Sequence, residues 1–389
     1  MHTLRQYLLT LEDPRGLTRT LGPVEPCRDA SGKLQYAAGN SAVVFRIRHR
    51  GRLCSLRCYL RPMRHLREIY GERLLERELY LFTGPETGEW VDVVVGDWIE
   101  GRTLQEILTE AATEGDRERL ASLSDAFDRL AADLVADDRA HGDLKPENII
   151  VSPDGSLHLI DLDASYLPAF ASEPSPELGT AAFQHPARTA ADFDASLDDF
   201  PAALISTALH VLRLDPAVYD RYRDADGLLF TPARIPTDPA FTEALALFER
   251  HGCAAWYRVA QLMCAPTLRL FGLAELLGHA TRTVPFDGEP ELFVANGRWG
   301  YRTQTRVVIP PLYDAGFDFT EGLAAVRLGR TWHFIDSAGR TRLSCPGCEA
   351  VKPFRRGRAL IVRNGRRLEI DRTGREFDIL PQIAIFAKE

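Results

Sequence analysis

The chain has 389 residues, 45% of them hydrophobic and 26% charged, which is apolar enough to bury more than one core and excludes wholesale disorder. With 47 basic against 55 acidic residues the net charge is −8, so there is no overall case for binding nucleic acid or an anionic membrane. No stretch approaches the roughly 18 apolar residues of a membrane span. Charge and proline break the opening MHTLRQYLLTLEDPRG too early for a secretory signal, and seven scattered cysteines suit a reducing compartment, so a cytoplasmic location is expected.

In chain order, residues 1–35 begin with a short amphipathic segment and become turn-rich. AVVFRI (42–47) and LCSLRCYL (53–60) read as strands flanking a turn at Arg50-Gly51-Arg52. Residues 63–81 read as a helix, with Leu66, Ile69, Leu74 and Leu75 as its apolar positions. VDVVV (91–95) is a buried-strand run. Thr103 suits the N-cap of a short helix carrying Leu104, Ile107 and Leu108 on one face. The recurrence of Leu123, Phe127, Leu130 and Leu134 predicts a helix over 121–137. Strands IIV (149–151) and LHLI (157–160) follow, joined by the turn Ser152-Pro153-Asp154-Gly155. After a long loop, 199–212 is helical with Pro201 in its first turn, Asp238-Pro239 opens another helix, and 253–280 is helical and apolar.

The texture changes at Pro285-Phe286-Asp287-Gly288. From there on the chain carries 17 basic and 12 acidic residues, opposite in sign to the rest. F-T-E-G-L-A (319–324) recurs as F-R-R-G-R-A (354–359), and Ile335-Asp336-x-x-Gly339 as Ile370-Asp371-x-x-Gly374. Trp299-Gly300-Tyr301 answers Trp332-His333-Phe334. Units this small cannot bury an apolar face alone and must stack. Cys345-Pro346-Gly347-Cys348 has no second pair and no nearby histidine, so it reads as a turn with two incidental thiols rather than a zinc site. The arginines at 355, 356, 358, 363, 366 and 367 read as a solvated strand face, with an acidic partner or phosphate as the alternative.

The residues that carry chemistry lie in His141-Gly142-Asp143-Leu144-Lys145-Pro146-Glu147-Asn148. A carboxylate, an ammonium two residues on and an amide five residues on are parts that phosphoryl transfer uses. The first takes the proton of the attacking hydroxyl, the second neutralises phosphate, and the third helps hold Mg²⁺. Asp161, at the end of an apolar strand, is a carboxylate suited to the same metal. Lys145 stands out because the chain has only four lysines (Lys33, Lys145, Lys352 and Lys388) and otherwise uses arginine.

This arrangement resembles the eukaryotic-type protein kinase family, whose catalytic loop reads H-R-D-L-K-P-x-N and whose metal loop reads D-F-G. The resemblance implies ATP and Mg²⁺ as cofactors, Asp143 as base, Lys145 as phosphate clamp, and Asn148 and Asp161 as metal ligands. Gly179-Thr180-Ala181-Ala182-Phe183 resembles the kinase G-T-x-x-Y segment, which implies a Thr180 hydroxyl bridging Asp143 and Lys145. Asp198 matches the aspartate that anchors the catalytic loop. Upstream, Ala37-x-Gly39-x-x-Ala42-x-Val44 keeps one glycine of the phosphate-covering loop. Arg57 stands where the family has a strand lysine, with Glu72 as its implied helix partner and Glu68 as the second choice. Asp97, Trp98 and Ile99 fall where the hinge holds adenine. His-Gly-Asp replaces His-Arg-Asp, which removes the arginine that reads a phosphorylated activation loop, and His-Pro-Ala replaces Ala-Pro-Glu.

The C-terminal units resemble WG repeats, F-x-E-G-L-A-x-V…W-G-F-I-D-x-x-G. Together these features resemble a bacterial group of kinase-like proteins with C-terminal WG repeats. The expected fold class is α+β, a bilobal protein-kinase-like domain over 1–285 (N-lobe about 1–96, C-lobe about 97–285) followed by a β-rich WG-repeat domain over 286–389. The expected function is ATP- and Mg²⁺-dependent transfer to Ser or Thr of a protein, with the repeats recruiting a partner protein. The alternatives are a pseudokinase scaffold, favoured by Arg57 and the reduced glycine loop, and a small-molecule kinase, favoured by His-Gly-Asp.

Overall fold

The structure is a computed structural model that describes residues 1–84, 86–224, 227–279, 290–295, 297–303, 307–337 and 339–378. It falls into two units. The first joins Met1–Arg102 to Ile149–Ser165, and the second joins Thr103–Asn148 to the described residues from Tyr166 onward.

The first unit is built on strand alternation. Helix α1 (Leu4–Glu12) starts at a capping box, in which the Thr3 hydroxyl accepts the Gln6 amide while Gln6 reaches back to the Thr3 amide. Strands β1 (Glu25–Pro26), β2 (Tyr36–Ala38), β3 (Ala42–His49), β4 (Arg52–Tyr59), β5 (Leu74–Phe82) and β6 (Gly88–Asp97) form one sheet in the order β1-β3-β4-β6-β5, with β2 also on β3. Val43, Phe45 and Ile47 of β3 and Leu56 and Cys58 of β4 point to one face, where they pack with Tyr7 and Leu11 of α1. The β3–β4 hairpin turns through Arg50 and Gly51, both at positive φ, as a tight primed turn requires.

The helix expected over 63–81 is largely a strand. Only Leu66–Tyr70 is helical (α2). A 3₁₀ turn at Gly71–Arg73 follows, and then β5. Leu74 and Leu75 suit either period, and the edge of β6 decides the matter by pairing with them. A bulge between Leu75 and Leu79 resets the alternation so that Leu79 and Leu81 are buried. Arg77 sits in that bulge at φ 50°, and its amide is taken by Asp92 at 2.7 Å.

After the two-residue strand β7 (Arg102–Thr103), the chain returns to the first unit as a hairpin of β8 (Ile149–Val151) and β9 (Leu157–Leu159). This stretch lies within the expected 97–285 lobe in sequence. It belongs to the first unit because Leu162 packs against Tyr59, Tyr70 and Leu74.

The second unit begins with α3 (Leu104–Glu114), opened by a Thr103–Glu106 capping box, and α4 (Arg117–Ala136). Helix α5 (Asp199–Leu214) is buried along nearly its whole length and packs on α4. Asp128 of α4 accepts hydrogen bonds from Ser206 (2.6 Å) and His210 (2.7 Å) of α5, which satisfies a carboxylate that burial would otherwise penalise. Then come α6 (Val218–Tyr222), α7 (Pro239–Arg250, N-capped by Asp238), α8 (Ala254–Leu262) and α9 (Leu273–His279). The expected run over 253–280 is therefore two helices, broken across a stretch holding Pro266 and Gly272.

The repeats form three antiparallel meanders. They are β10 (Glu291–Ala295), β11 (Arg298–Arg302) and β12 (Val307–Tyr313); β13 (Ala315–Gly316), β14 (Ala324–Leu328), β15 (Thr331–Ile335) and β16 (Thr341–Cys345); and β17 (Cys348–Val351), β18 (Arg358–Arg363), β19 (Arg366–Asp371) and β20 (Glu376–Asp378). Leu323, Trp332 and Phe334 of the second meander share a core with Phe354, Ile361 and Ile370 of the third. Helix α8 packs on β12, and Arg342 pairs with Glu249 of α7 at 2.7 Å. The expected boundary at Pro285–Gly288 and the last residues of the chain lie outside the described residues. The fold is thus α+β with a strand-rich C-terminal region, and no described helix is long and apolar enough to cross a membrane.

Candidate functional site

Within the second unit, the loop after α4 is fixed from its backbone. Asp198, at the start of α5, accepts the Gly142 amide at 3.0 Å and the His141 amide with its other oxygen. Asp143 is then placed with its carboxylate among donors. The Thr180 amide reaches Oδ1 at 2.6 Å, Lys145 Nζ lies 3.2 Å from Oδ2, and Asn148 donates to the Asp143 carbonyl (2.9 Å) and to Oδ2 (3.3 Å). Lys145 also donates to the Thr180 hydroxyl at 2.8 Å. Asp143, Lys145, Asn148 and Thr180 are thus brought together from two stretches 35 residues apart. Burial alone would push the Asp143 carboxyl up, but the Thr180 amide and the Lys145 ammonium outweigh it and hold the group below its ordinary value. Gly179 has φ 70°, and a Cβ there would lie 2.7 Å from Gln184 Nε2 and 2.9 Å from the Gly142 carbonyl, so only glycine lets the segment approach this closely.

Sequence reasoning missed Arg188. Its buried guanidinium donates to the Gly142 carbonyl (2.9 Å), to Gln184, to Ser175 (3.5 Å) and to the Glu177 carbonyl (3.3 Å). It crosslinks the 141–148 loop to the 175–188 segment. The signal was present as the arginine just after His185-Pro186-Ala187, but no local pattern says which carbonyl it reaches.

The first unit holds a second cluster. Arg57 of β4 donates through Nη2 to Asp161 and, at 2.5 Å, to Asp163. Asp163 also accepts the hydroxyls of Tyr70 (2.7 Å) and Tyr59 (3.2 Å). Burial disfavours the guanidinium charge, but Tyr70, Asp161 and Asp163 more than restore it, so the group stays charged. Glu72 and Glu68 are exposed and neither contacts Arg57. The reason is the shortness of α2: Glu72 falls in the 3₁₀ turn after it. Asp163 takes the place expected for a helix carboxylate. Its signal was the second aspartate of Leu-Ile-Asp-Leu-Asp.

Gly39 lies in the β2–β3 turn, its amide on the Ala42 carbonyl at 2.9 Å, and Val44 is the register partner of both Ala37 and Arg57. Asp97 ends β6, exposed, and pairs with Arg52 at 3.1 Å. The Trp98 amide is spent on the Leu53 carbonyl (3.2 Å), and its ring lies under Arg46 at 5.3 Å. Ile99 is half-buried beside it.

Two features bear on a metal and a phosphate. No group of three or more His, Cys, Asp and Glu among the described residues could hold a metal on protein ligands alone. Magnesium does not need one, since it is commonly held by one or two carboxylates together with substrate phosphates. Asn148 uses its amide nitrogen internally, which leaves Oδ1, a hard oxygen donor, without a hydrogen bond among the described residues. Arg57 Nε is a buried donor with no partner, as an acceptor such as a phosphate oxygen would require.

Residues 302–332 match the family model of the WG containing repeat. The C-terminal region therefore carries WG repeats. No curated protein matches the chain. The glycine of the name dipeptide, Gly300, is dictated by packing: a Cβ there would meet the Ile309 carbonyl oxygen and the Pro311 nitrogen at 2.6 Å. Successive WG repeats are joined by Glu321, which accepts the Gly357 amide at 2.9 Å and the Arg356 amide of the next repeat's turn. Both turns, Glu321-Gly322 and Arg356-Gly357, have positive φ at both residues, and this explains why glycine recurs there.

Proposed function

We propose that the chain transfers the terminal phosphoryl group of ATP to a hydroxyl, on Ser or Thr of a protein, with the WG repeats recruiting a partner protein. The observation that carries this reading is the Asp143 carboxylate, kept ionised among Thr180, Lys145 and Asn148. In this reading Asp143 orients the acceptor hydroxyl and takes its proton as the oxygen bonds to phosphorus and ADP departs. Lys145, steadied by the Thr180 hydroxyl, neutralises charge on the transferred group. Arg57 holds the inner phosphates. Each unit offers an oxygen of the kind that Mg²⁺ takes, Asn148 Oδ1 in the second and the Asp161 carboxylate in the first, and when bound Mg²⁺ neutralises the phosphates.

The test is an assay with radiolabelled ATP on wild type beside Asp143→Asn, with and without cell lysate as substrate. Incorporation that falls by about a hundredfold or more in the variant supports the reading, and equal incorporation sinks it. A second reading, a nucleotide-binding or partner-binding scaffold without catalysis, is favoured by Arg57 being engaged by two carboxylates and by the Trp98 amide being spent within the sheet. Absence of incorporation with retained Mg·ATP binding would select it.

A further inference from the structure

One nitrogen of Arg57, Nη2, is shared by two carboxylates of unequal standing. Asp163 is 5% exposed and is held in place by Tyr59 and Tyr70 as well as by Arg57. Asp161 is 41% exposed and has no other hydrogen bond among the described residues. Its backbone sits in the left-handed region (φ 64°, ψ 59°), which disfavours a non-glycine residue and persists only where the surroundings impose it. Asp163 is thus a permanent partner and Asp161 an exchangeable one.

We propose that Arg57 is a phosphate clamp released by magnesium. Asp163 is the positioning residue that keeps the guanidinium in the sheet face, whatever is bound. Asp161 occupies the same nitrogen until a divalent cation draws that carboxylate away, and only then is Nη2 free for phosphate oxygens. This deepens the ATP reading above and rests on it. It makes Asp161 a brake on metal-free nucleotide as well as a ligand for the metal. Because linkage is reciprocal, metal and nucleotide must strengthen each other's binding through the one guanidinium.

The consequence has an unusual sign. Losing a metal ligand ordinarily only weakens nucleotide binding. Here Asp161→Asn weakens binding of Mg·ATP but strengthens binding of ATP without metal, because asparagine has no charge to hold Arg57. Removing any carboxylate near an anion site also favours an anion, so the gain must be shown to pass through Arg57.

The experiment is calorimetric titration of ATP into the full chain in EDTA and in excess Mg²⁺, for wild type, Asp161→Asn, Arg57→Met and the double variant, each checked for folding by circular dichroism. The expected result is about a tenfold or larger gain in metal-free affinity for Asp161→Asn, shrinking to less than about threefold when Arg57 is methionine. Asp163→Asn should lose affinity in both buffers. Equal metal-free affinity in wild type and Asp161→Asn, or a gain that survives Arg57→Met, overturns the clamp while leaving the ATP reading standing. No binding by wild type in Mg²⁺ ends the ATP reading, and the clamp with it.

Discussion

Asp198 accepts the Gly142 amide at 3.0 Å, and its second oxygen accepts the amide of His141. A side chain at the start of α5 thereby directly sets the backbone that presents Asp143. Asp198 is 1% exposed, so bulk solvent does not compete for its carboxylate. Asp198→Asn keeps one oxygen and turns an NH₂ toward the other N–H. Two donors then face each other in a dry site. We expect a loss of about 2–4 kcal/mol in urea unfolding, together with reduced turnover. A change below about 0.5 kcal/mol would mean that the loop is held by other contacts.

The same loop bears on regulation. Gly142 supplies no guanidinium to read a phosphorylated segment, while Arg188 already ties that segment to the Gly142 carbonyl from within. Turnover should therefore not depend on phosphorylation at Ser172 or Ser175. With both as alanine, activity should stay within about threefold of wild type, because the Ser175 hydroxyl contributes one hydrogen bond of about 1 kcal/mol, to the Glu177 carbonyl, and a longer one from Arg188 that Arg188 can give up while keeping the Gly142 and Glu177 carbonyls. Abolished turnover with intact nucleotide binding would refute this.

How much of this could be read from residues alone depended on range. Helices α3, α4, α5 and α7 and the hairpins β3–β4 and β8–β9 carry their own caps, turns and periods, so Thr103, Asp238 and Pro153-Asp154-Gly155 marked them. The 63–81 stretch was misread because Leu74 and Leu75 fit two periods, and the choice is made by β6, which is remote in the information a helix pattern uses. That error placed the Arg57 partner on Glu72, whereas the carboxylate that reaches Arg57 comes from Asp163, 106 residues away. The loop group was legible because its spacing is local. Arg188, Asp163 and the two tyrosines were not, because only tertiary packing brings them to their partners.

The WG repeats offer a local test. Glu321 reaches into the next repeat to hold the Arg356 and Gly357 amides, and Arg372 donates to the Glu321 carbonyl at 2.7 Å. Glu321→Ala should raise hydrogen exchange at those two amides by about tenfold, while exchange in α4 and α5 stays unchanged. Uniform loosening of the whole chain, or none at the two amides, would show that the clasp does not join the repeats.

Arg57 is the substitution most open to direct test. Arg57→Ala leaves the buried Asp163 carboxylate with two tyrosine hydroxyls and no cation, which by analogy with broken buried pairs costs about 3–5 kcal/mol. Mg·ATP affinity should drop at least about tenfold. Arg57→Lys should do no better than wild type, since an ammonium lacks the planar guanidinium that keeps Asp163 while turning other N–H groups to phosphate. Normal stability and binding in Arg57→Ala would make Arg57 an ordinary strand residue.

Asp199 gives a prediction in pH. It follows Asp198, is 3% exposed, and accepts the Leu270 amide at 2.6 Å. Burial raises its carboxyl from 3.8 to about 7; the Leu270 amide and Arg269 oppose the shift, and Asp198 and Asp194 add to it. The folded state thus keeps a proton that the unfolded chain gives up near pH 4. Below that pH both states are protonated and Asp199 contributes no slope. Between about pH 4 and pH 7 the unfolded chain binds fewer protons than the folded one, so stability falls as pH rises. Above about pH 7 both are ionised and the penalty is constant, at most on the order of 4 kcal/mol for a shift of about three units. Asp199→Asn still offers an oxygen to Leu270 but cannot ionise. It should flatten the decline and leave the protein more stable than wild type at pH 8, by about 1–3 kcal/mol in urea unfolding. At pH 4 the two proteins should differ little. A variant less stable than wild type at pH 8 would mean that the ionised carboxylate, held by the Leu270 amide, stabilises the fold and that its carboxyl is not raised.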